Sequence, residues 1–317
     1  MAAALALAAR GAARTTPNPN VGCVLVKDGR VVGRGWTQPG GRPHAEAMAL
    51  AAAGAEARGA TAYVTLEPCA HDSSRGPACA DSLIAAGVAR VVAALTDPDA
   101  RTAGMGFARL RAAGVAVTED IGGPAARASM APWLSRIGRG RPFVTLKLAT
   151  SLDGMIARSD GQSRWITGER ARAHGHLERA RHDAILVGRG TIDADAPRLD
   201  VRLPGLEARS PRRLLLTSGA APEGWTAIAS PAASDALPGV DSILVEGGAQ
   251  TAAAFLRAGR ADRLLHYQAP IIIGAGRSAL ADIGLTDLAE AHERWRLVDS
   301  RMLGSDRLAV YDSVRED

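Results

Sequence analysis

One stretch of the sequence decides the fold of the first half, and it runs from His44-Ala45-Glu46 through Ala62-Tyr63-Val64-Thr65-Leu66 to Pro68-Cys69 and Cys79. The first triplet opens one predicted helix, the apolar run is a predicted strand, and Cys79 opens the next predicted helix. Strands that alternate with helices are typical of an α/β domain, in which helices cover the faces of a sheet. We therefore expect an α/β layer that carries one imidazole, one carboxyl group and two thiols.

These side-chain types suit hydrolysis at a metal ion. Zinc with three protein ligands and one open position lowers the pKa of bound water to about 7, which makes hydroxide available. His44, Cys69 and Cys79 are the predicted ligands, and Glu46 is the predicted proton carrier because it follows His44 by two residues. The order His-x-Glu, Pro-Cys and Cys is the signature of zinc-dependent deaminases. Each residue alone is more often a surface or core residue, so the prediction rests on the combination.

Two alternatives use the same residues. One is an enzyme of the same zinc class that acts on a free nucleoside or a tRNA base and has no need of a second domain. The other is a basic nucleic-acid-binding protein with a structural zinc, which needs a fourth ligand because structural sites are usually closed. His71 could supply that ligand. The third cysteine, Cys23, lies in an alternating apolar run and is predicted to be core.

Composition limits the partners. The 317 residues are enough for two domains with separate cores, and no stretch is long and uncharged enough to cross a bilayer. Three cysteines, two of them placed like metal ligands, favour a reducing compartment, so we expect the cytoplasm. The net charge of +5 comes from scattered arginines, with only 3% aromatic residues. We expect a phosphorylated small molecule as substrate, and neither nucleic acid nor membrane as partner.

The first domain is predicted to comprise residues 1–122. Alternating runs at 21–26 and 31–36 flank Asp28-Gly29 and predict a β-hairpin. The other predicted elements are an amphipathic first helix, helices at 44–53, 79–86 and 107–113, and strands at 62–66, 88–95 and 115–117. The glycine-rich and basic segment 123–141 is predicted to be a solvated linker.

The second domain is predicted to comprise residues 142–317. Its predicted strands lie at 143–148, 184–187, 213–217, 242–245 and 263–273, and its predicted helices at 169–181 and 250–258. Two turns, Gly188-Arg189-Gly190-Thr191 and Glu246-Gly247-Gly248-Ala249, follow strands and suit an anion, because a missing Cβ lets a phosphate approach helix N–H groups. Neither turn matches G-x-G-x-x-G, so no Rossmann domain is expected. Arg179 and Arg202 could bind a phosphate, but their spacing does not show that they converge.

Motifs in both halves together carry a resemblance that covers nearly the whole chain. They are Thr16-Pro17-Asn18-Pro19-Asn20-Val21-Gly22, His44-Ala45-Glu46, Tyr63-Val64-Thr65-Leu66-Glu67-Pro68-Cys69, Leu83-Ile84-Ala85-Ala86-Gly87-Val88, Leu146-Lys147-Leu148-Ala149, Ser151-Leu152-Asp153-Gly154, Trp165-Ile166-Thr167, Asp183-Ala184-Ile185-Leu186-Val187-Gly188, Pro197-Arg198-Leu199 and Val245-Glu246-Gly247-Gly248. With them the chain resembles the family of bifunctional riboflavin-biosynthesis deaminase/reductases.

The resemblance implies a fold and two reactions. It implies a three-layer, cytidine-deaminase-like N-terminal domain and a dihydrofolate-reductase-like C-terminal domain. The first would remove the 2-amino group of 2,5-diamino-6-(5-phosphoribosylamino)pyrimidin-4-one by zinc-dependent hydrolysis. The second would use NADPH to reduce the ribosyl group to ribityl. A homodimer through the reductase domain is a further expectation from the family.

The resemblance also implies residue roles. It implies cofactor contacts at Ala149, Trp165, Thr191, Asp195, Ser218, Gly248, Ala249, Gln250 and Thr251. It implies substrate contacts at Asn18, Ser163, Arg179, Leu199, Arg202 and Glu246, and it makes His71 a substrate-side residue. The chain departs from the family pattern in a longer loop with Asp72-Ser73-Ser74, and in Ala196 before Pro197.

Overall fold

The computed structural model describes residues 1–71 and 75–314. The chain divides into two compact units, Met1–Arg141 and Pro142–Asp317. Asp72-Ser73-Ser74, in the loop predicted to depart from the family pattern, lies outside the described residues. No helix within the described ranges is both long and apolar enough to cross a bilayer.

The first unit is built on a five-stranded sheet with the order β2-β1-β3-β4-β5. Its strands are β1 Gly22–Lys27, β2 Arg30–Trp36, β3 Thr61–Val64, β4 Arg90–Ala93 and β5 Ala116–Thr118. Its helices are α1 Ala2–Ala8, α2 Ala45–Ala53, α3 Cys79–Ala85, α4 Met105–Ala112, α5 Gly123–Ser129 and α6 Ala131–Arg139. β1 is antiparallel to β2 and β3, whereas β3, β4 and β5 are parallel. The predicted hairpin is confirmed, with Asp28 and Gly29 both at positive φ.

Glycines place helices on both faces of this sheet. A Cβ on Gly22 would lie 1.9 Å from the carbonyl oxygen of Ala4 in α1, and a Cβ on Gly35 would lie 2.2 Å from that of Ala45 in α2. Gly35 pairs with Cys23, the residue after Gly22, so the two Cβ positions point to opposite faces. α1 and α2 therefore cover opposite faces, which gives the three layers implied by the resemblance.

Residues 123–141 differ from the solvated linker expected there. They form α5 and α6, and Ala126, Met130 and Trp133 pack into the core of the first unit. These three residues are spaced by four and three, which puts them on one side of a helical path. The arginines of the segment hid this apolar side because a basic, glycine-flanked run reads as solvated. The first unit therefore extends to Arg141.

The second unit is built on an eight-stranded sheet with the order β10-β9-β8-β11-β6-β12-β15-β14, beside a two-stranded sheet of β13 and β7. Its strands are β6 Phe143–Thr150, β7 Met155–Arg158, β8 Ala184–Gly188, β9 Arg212–Leu216, β10 Thr226–Ile228, β11 Ser242–Val245, β12 Arg263–Gln268, β13 Gly276–Ser278, β14 Trp295–Leu303 and β15 Asp306–Ser313. Its helices are α7 Glu169–Arg179, α8 Arg189–Asp195 and α9 Ala249–Arg257. Short 3-10 helices lie at Ala9–Gly11, Pro39–Gly41 and Gly54–Ala57 in the first unit, and at Glu207–Arg209, Pro231–Ala236 and Leu288–Ala291 in the second.

The strands from β10 to β12 pair in parallel, and the hairpin of β14 and β15 is antiparallel. β12 ends five residues earlier than the predicted strand, which ran to residue 273, and Pro270 follows closely, with no N–H to continue a ladder. The C-terminal hairpin was not predicted. Because parallel strands end at one edge of the sheet, the loops after β6, β8 and β11 meet there.

Candidate functional site

Three predicted ligands meet in the first unit. His44 is the residue before α2, Cys79 is the first residue of α3, and Cys69 follows β3. Their ligand atoms all lie within 4.8 Å of one another, with His44 Nδ1 3.3 Å from Cys79 Sγ and 3.7 Å from Cys69 Sγ. Ligand atoms of a tetrahedral zinc are about 3.5 to 3.8 Å apart, given usual Zn–N and Zn–S bond lengths. The donor set and its spacing therefore fit zinc.

Two contacts hold this cluster in place. The backbone N–H of Cys79 donates to Cys69 Sγ at 3.2 Å, so the first amide of α3 faces the other sulfur. Asn18 Nδ2 lies 2.9 Å from His44 Nε2 and donates to the carbonyl oxygen of Gly41 at 2.9 Å. Asn18 thus contacts the Nε2 side of the imidazole, and Nδ1 faces the thiols.

The two thiols and the nearby carboxyl group have shifted pKa values. A hydrogen bond from the Cys79 thiol, together with His44, lowers the pKa of Cys69 to about 4, and Cys69 and burial raise that of Cys79. Burial raises the pKa of Glu46 to about 7; His44 opposes this rise and Cys69 adds to it. A carboxyl group with a pKa near 7 can both accept and release a proton at neutral pH.

A cleft of about 100 Å³ opens beside the cluster. Its lining includes the predicted Asn18, His44, Glu46, Cys69 and His71, and also Glu67, Asp97, Asp99, Arg101, Trp133 and Ile137. The second group was not predicted from the sequence. The signal that could have found Asp97 and Asp99 is their position in the loop that follows the parallel strand β4, which ends at Ala93, since functional side chains collect in such loops.

The two aspartates of this cleft lie in different electrostatic environments. Burial raises the pKa of Asp97 to about 6, whereas a hydrogen bond from Arg101 lowers that of Asp99 to about 2.

His71 Nδ1 lies 3.3 Å from Thr102 Oγ1 and outside the ligand cluster. Across residues 1–71 and 75–314, the cluster near Glu46 therefore offers three ligands, which leaves a coordination position open. Cys23 is fully buried, as predicted.

Two adjoining clefts, of about 590 and 450 Å³, lie in the second unit. Ser163, Trp165, Arg179, Arg202 and Glu246 line both. Ala149 lines the first, and Thr191, Asp195 and Leu199 line the second. The two arginines whose convergence the sequence could not establish do therefore face a shared space.

Glu246 is the best-connected acid of these clefts. Arg179 donates to both of its oxygens, from Nε to Oε1 and from Nη2 to Oε2, each at 2.9 Å. Arg179 Nη1 also donates to the carbonyl oxygen of Asp200, and Lys147 Nζ lies 3.9 Å from Glu246 Oε2. Burial alone would raise the pKa of Glu246, but Lys147 and Arg179 lower it to about 2. Glu246 is therefore a buried, ionised hydrogen-bond acceptor.

The two glycine turns differ from the expected phosphate loops in one respect. A Cβ on Gly188 would lie 2.2 Å from Thr251 Oγ1, and a Cβ on Gly247 would lie 2.4 Å from Thr251 Cβ. These two glycines make room for the buried Thr251 of α9 rather than for a ligand. Gly248 has open space where a Cβ would lie. The linings of the two clefts do not include Ser218 or the predicted contacts Gly248, Ala249, Gln250 and Thr251.

Comparison with known proteins adds independent findings. Residues 142–225 and 235–309 match the model of the RibD C-terminal domain, and residues 1–95 match that of the cytidine and deoxycytidylate deaminase zinc-binding region. The chain is 39% identical to the riboflavin biosynthesis protein RibD of Escherichia coli, with 96% of each chain covered. It is 40% identical to RibD of Mycobacterium tuberculosis, over 93% of this chain and 91% of that one.

Solved structures are similar over the same length. A diaminohydroxyphosphoribosylaminopyrimidine deaminase/5-amino-6-(5-phosphoribosylamino)uracil reductase from Thermotoga maritima matches with a TM-score of 0.88 and 32% identity, covering 98% of this chain and 97% of that one. RibD from Acinetobacter baumannii matches with a TM-score of 0.84 and 35% identity, with the same coverage. Both units thus have counterparts within single known chains.

Proposed function

The chain belongs to the RibD family of riboflavin-biosynthesis proteins, as a bifunctional enzyme with a zinc-binding deaminase domain and an NADPH-dependent reductase domain, and we propose that it acts in sequence on one phosphorylated pyrimidine. The proposed substrate is 2,5-diamino-6-(5-phosphoribosylamino)pyrimidin-4-one. Hydrolysis would release its 2-amino group as ammonia, and reduction would then convert its ribosyl group to ribityl. The observation that carries the deaminase half is the convergence of His44, Cys69 and Cys79 beside Glu46.

In the deaminase unit, His44, Cys69 and Cys79 would hold the zinc ion. When bound, zinc supplies Lewis-acid activation of water. Glu46 would carry one proton from the attacking water to the pyrimidine ring nitrogen and then a second, from the hydroxyl so formed, to the amine, which leaves as ammonia; its pKa of about 7 suits both transfers. Asn18 would orient His44 and face the substrate, and the burial of Glu46, Cys69 and Cys79 would limit the access of bulk water to the reacting atoms.

In the reductase unit, NADPH supplies the hydride. We propose that its contacts are Ala149, Trp165, Thr191 and Asp195, which line the clefts, together with Ser218, Gly248, Ala249, Gln250 and Thr251, which lie outside the cleft linings and are proposed from the resemblance alone. The paired clefts fit a cofactor beside a substrate, because they adjoin and share five lining residues. This arrangement would turn binding energy into orientation of the sugar carbon towards the hydride.

We assign the substrate contacts of this unit to Ser163, Arg179, Leu199, Arg202 and Glu246. Arg202 is largely exposed, so its guanidinium is available to a phosphate. Arg179 is already bonded to Glu246 through two nitrogens, so its first effect is to keep that carboxylate ionised. Glu246 would then accept a hydrogen bond from a sugar hydroxyl.

One experiment tests both halves. The purified chain is incubated with the diaminopyrimidine phosphate, with and without NADPH, while ammonia and NADPH absorbance are followed separately. We expect ammonia in both incubations and loss of absorbance only with NADPH and substrate together. Ammonia release without any NADPH oxidation would contradict the reductase assignment, and the reverse would contradict the deaminase assignment.

We also propose a homodimer through the reductase unit. β14 is an edge strand of the eight-stranded sheet, and the exposed side chains of Leu297, Val298 and Met302 lie along it. Apolar side chains on a sheet edge favour pairing with another strand. Light scattering of the wild type and of a Val298→Asp variant would test this, with a dimer expected for the first and monomers for the second.

The reducing cytoplasm is the proposed compartment. All three cysteines are free and buried, and two of them belong to the proposed metal site. Their oxidation would remove the thiolates that zinc requires. Recovery of the chain outside the cytoplasmic fraction of cells that produce it would contradict this assignment.

A further inference from the structure

Glu67 is a buried acid in the deaminase cleft for which the mechanism above has no use. It lies two residues before the ligand Cys69 and is 2% exposed. Its Oε2 accepts hydrogen bonds from the backbone N–H groups of Asp97, at 3.1 Å, and Gly104, at 2.9 Å. Its Oε1 accepts from those of Gly106, at 2.9 Å, and Phe107, at 3.2 Å. Each oxygen thus has two donors, which leaves Glu67 poorly placed to bind metal or transfer protons.

The four donors belong to one stretch of chain, 97–107, that forms a wall of the cleft. Gly104, Gly106 and Phe107 lie at the start of α4, whose unpaired amides favour a negative charge. Asp97, at the other end of the stretch, lines the cleft together with Asp99 and Arg101. The Glu67 carboxylate therefore connects the start of α4 to the part of the wall that lines the cleft.

The same carboxylate joins this wall to the ligand turn. A Cβ on Gly106 would lie 2.0 Å from the carbonyl oxygen of Pro68, so α4 packs directly against the residue that precedes Cys69. The backbone N–H of Glu67 donates to the carbonyl oxygen of Leu95 at 2.8 Å, which adds a bond just before the wall begins. The position of the wall relative to the ligand turn is thus set at Glu67.

We propose that Glu67 is a positioning residue for deamination: its four hydrogen bonds fix residues 97–107 against the Pro68-Cys69 turn and so place the substrate-side wall of the cleft relative to the ligand cluster. This inference rests on the proposed deaminase function. Its consequence is specific, because the wall contacts substrate whereas Glu46 serves the reacting atoms. Loss of the hydrogen bonds at Glu67 weakens substrate binding more than it slows the chemical step.

The test is the Glu67→Gln variant, which keeps the size of the side chain. An amide has one acceptor oxygen and one NH₂ group, so two of the four backbone N–H groups lose their acceptor in either orientation. We expect the KM for the diaminopyrimidine phosphate in ammonia release to rise about tenfold or more, and kcat to change less than about threefold. Zinc content and reduction of the deaminated substrate stay at wild-type levels.

Two further variants complete the design. Glu56→Gln makes the same substitution at an exposed site and leaves KM and kcat at the wild-type values. Glu67→Asp keeps the charge but shortens the reach by one methylene, and gives a KM between those of wild type and Glu67→Gln. A role confined to stability would lower the melting temperature and the active fraction but leave KM unchanged, and that result would overturn the proposal. Loss of zinc from Glu67→Gln would overturn it too.

Amide hydrogen exchange keeps the proposal testable if Glu67→Gln does not fold. In the wild type we expect slow exchange at Asp97, Gly104, Gly106 and Phe107, and rapid exchange at these amides would overturn the proposal. In a folded Glu67→Gln, two of the four amides exchange faster. This readout needs no substrate, so a wild type that releases no ammonia would refute the deaminase function while the exchange pattern still reports on the Glu67 contacts.

Discussion

Each unit buries a glutamate in its cleft, and the pKa values of the two carboxyl groups are shifted in opposite directions. Burial acts to raise both pKa values, but the pKa is about 7 for Glu46 and about 2 for Glu246. The neighbours make the difference. His44 partly opposes the rise in the pKa of Glu46, and Cys69 adds to that rise. Lys147 and Arg179 lower the pKa of Glu246 by more than burial raises it. The same side chain is thus prepared for proton transfer in one unit and for hydrogen-bond acceptance in the other.

The largest expected effect is the loss of the proton carrier. Glu46→Gln should lower the rate of ammonia release by about 10³-fold, because an amide cannot carry protons. Zinc content should stay at the wild-type level, since Glu46 is not among the ligands, and NADPH oxidation with deaminated substrate should be unchanged. Ammonia release near the wild-type rate would show that Glu46 is not the proton carrier.

A smaller effect is expected when Glu246, the hydrogen-bond acceptor of the second unit, loses the guanidinium of Arg179. Arg179→Ala leaves the buried Glu246 with Lys147 at 3.9 Å as its nearby cation, and this should destabilise the second unit by about 3 kcal/mol. Reductase activity should fall about 100-fold, since a hydrogen bond to a charged group contributes about 1.5 to 3 kcal/mol. Thermal unfolding and steady-state kinetics measure the two effects.

Arg202→Ala is the matched comparison for this change. Arg202 is exposed and lies 3.6 Å from Asp200, so its removal should leave stability within about 0.5 kcal/mol of the wild type. We expect it to raise the KM for the phosphorylated substrate about tenfold, since it removes a charged hydrogen-bond donor. Equal loss of stability in both variants would contradict the separate roles given to the two arginines.

A further prediction concerns pH and compares the two acids directly. The folded pKa of Glu46 lies above its ordinary value of 4.5, so its contribution to stability is present below pH 4.5 and is lost as pH rises towards 7. For Glu246 the folded pKa lies below 4.5, so its contribution is present above pH 4.5 and is lost as pH falls towards 2.

Chelator-treated protein reveals the Glu46 contribution, because zinc would change the charge beside it. Between pH 5 and 6.5, the unfolding free energy of the metal-free wild type should fall by about 2 kcal/mol because of Glu46. The metal-free Glu46→Gln variant should not show this fall. Urea unfolding at several pH values measures this slope. A metal-free wild type whose stability rises over this range as steeply as that of the variant would argue against a raised pKa at Glu46.

The sequence was sufficient where residue types in a fixed order form a known signature or a local turn. Cys69 and Cys79 lie 25 and 35 residues from His44, but the zinc-deaminase signature links them, so the ligand cluster could be predicted. The hairpin at Asp28-Gly29 follows from local turn chemistry. The parallel sheet of the second unit also follows from strands that alternate with helices.

Long-range contacts outside such a signature could not be predicted in this way. The bonds of Glu67 reach 30 to 40 residues along the chain, and the approach of Arg179 to Glu246 spans 67. No periodicity encodes such pairings. The role of Gly188 and Gly247 was also not accessible, because a glycine that admits a ligand and one that admits Thr251 have the same sequence signature.

The end of the first unit has a practical consequence for anyone who wishes to separate the two activities. Trp133 and Ile137 of α6 line the deaminase cleft, and the unit runs to Arg141. A fragment that ends at residue 122, where the strand pattern stops, would lack part of its own pocket. It would also expose to solvent the core residues against which Ala126, Met130 and Trp133 pack. A fragment cut after residue 141 would keep that wall, so the stop codon of an isolated deaminase belongs there.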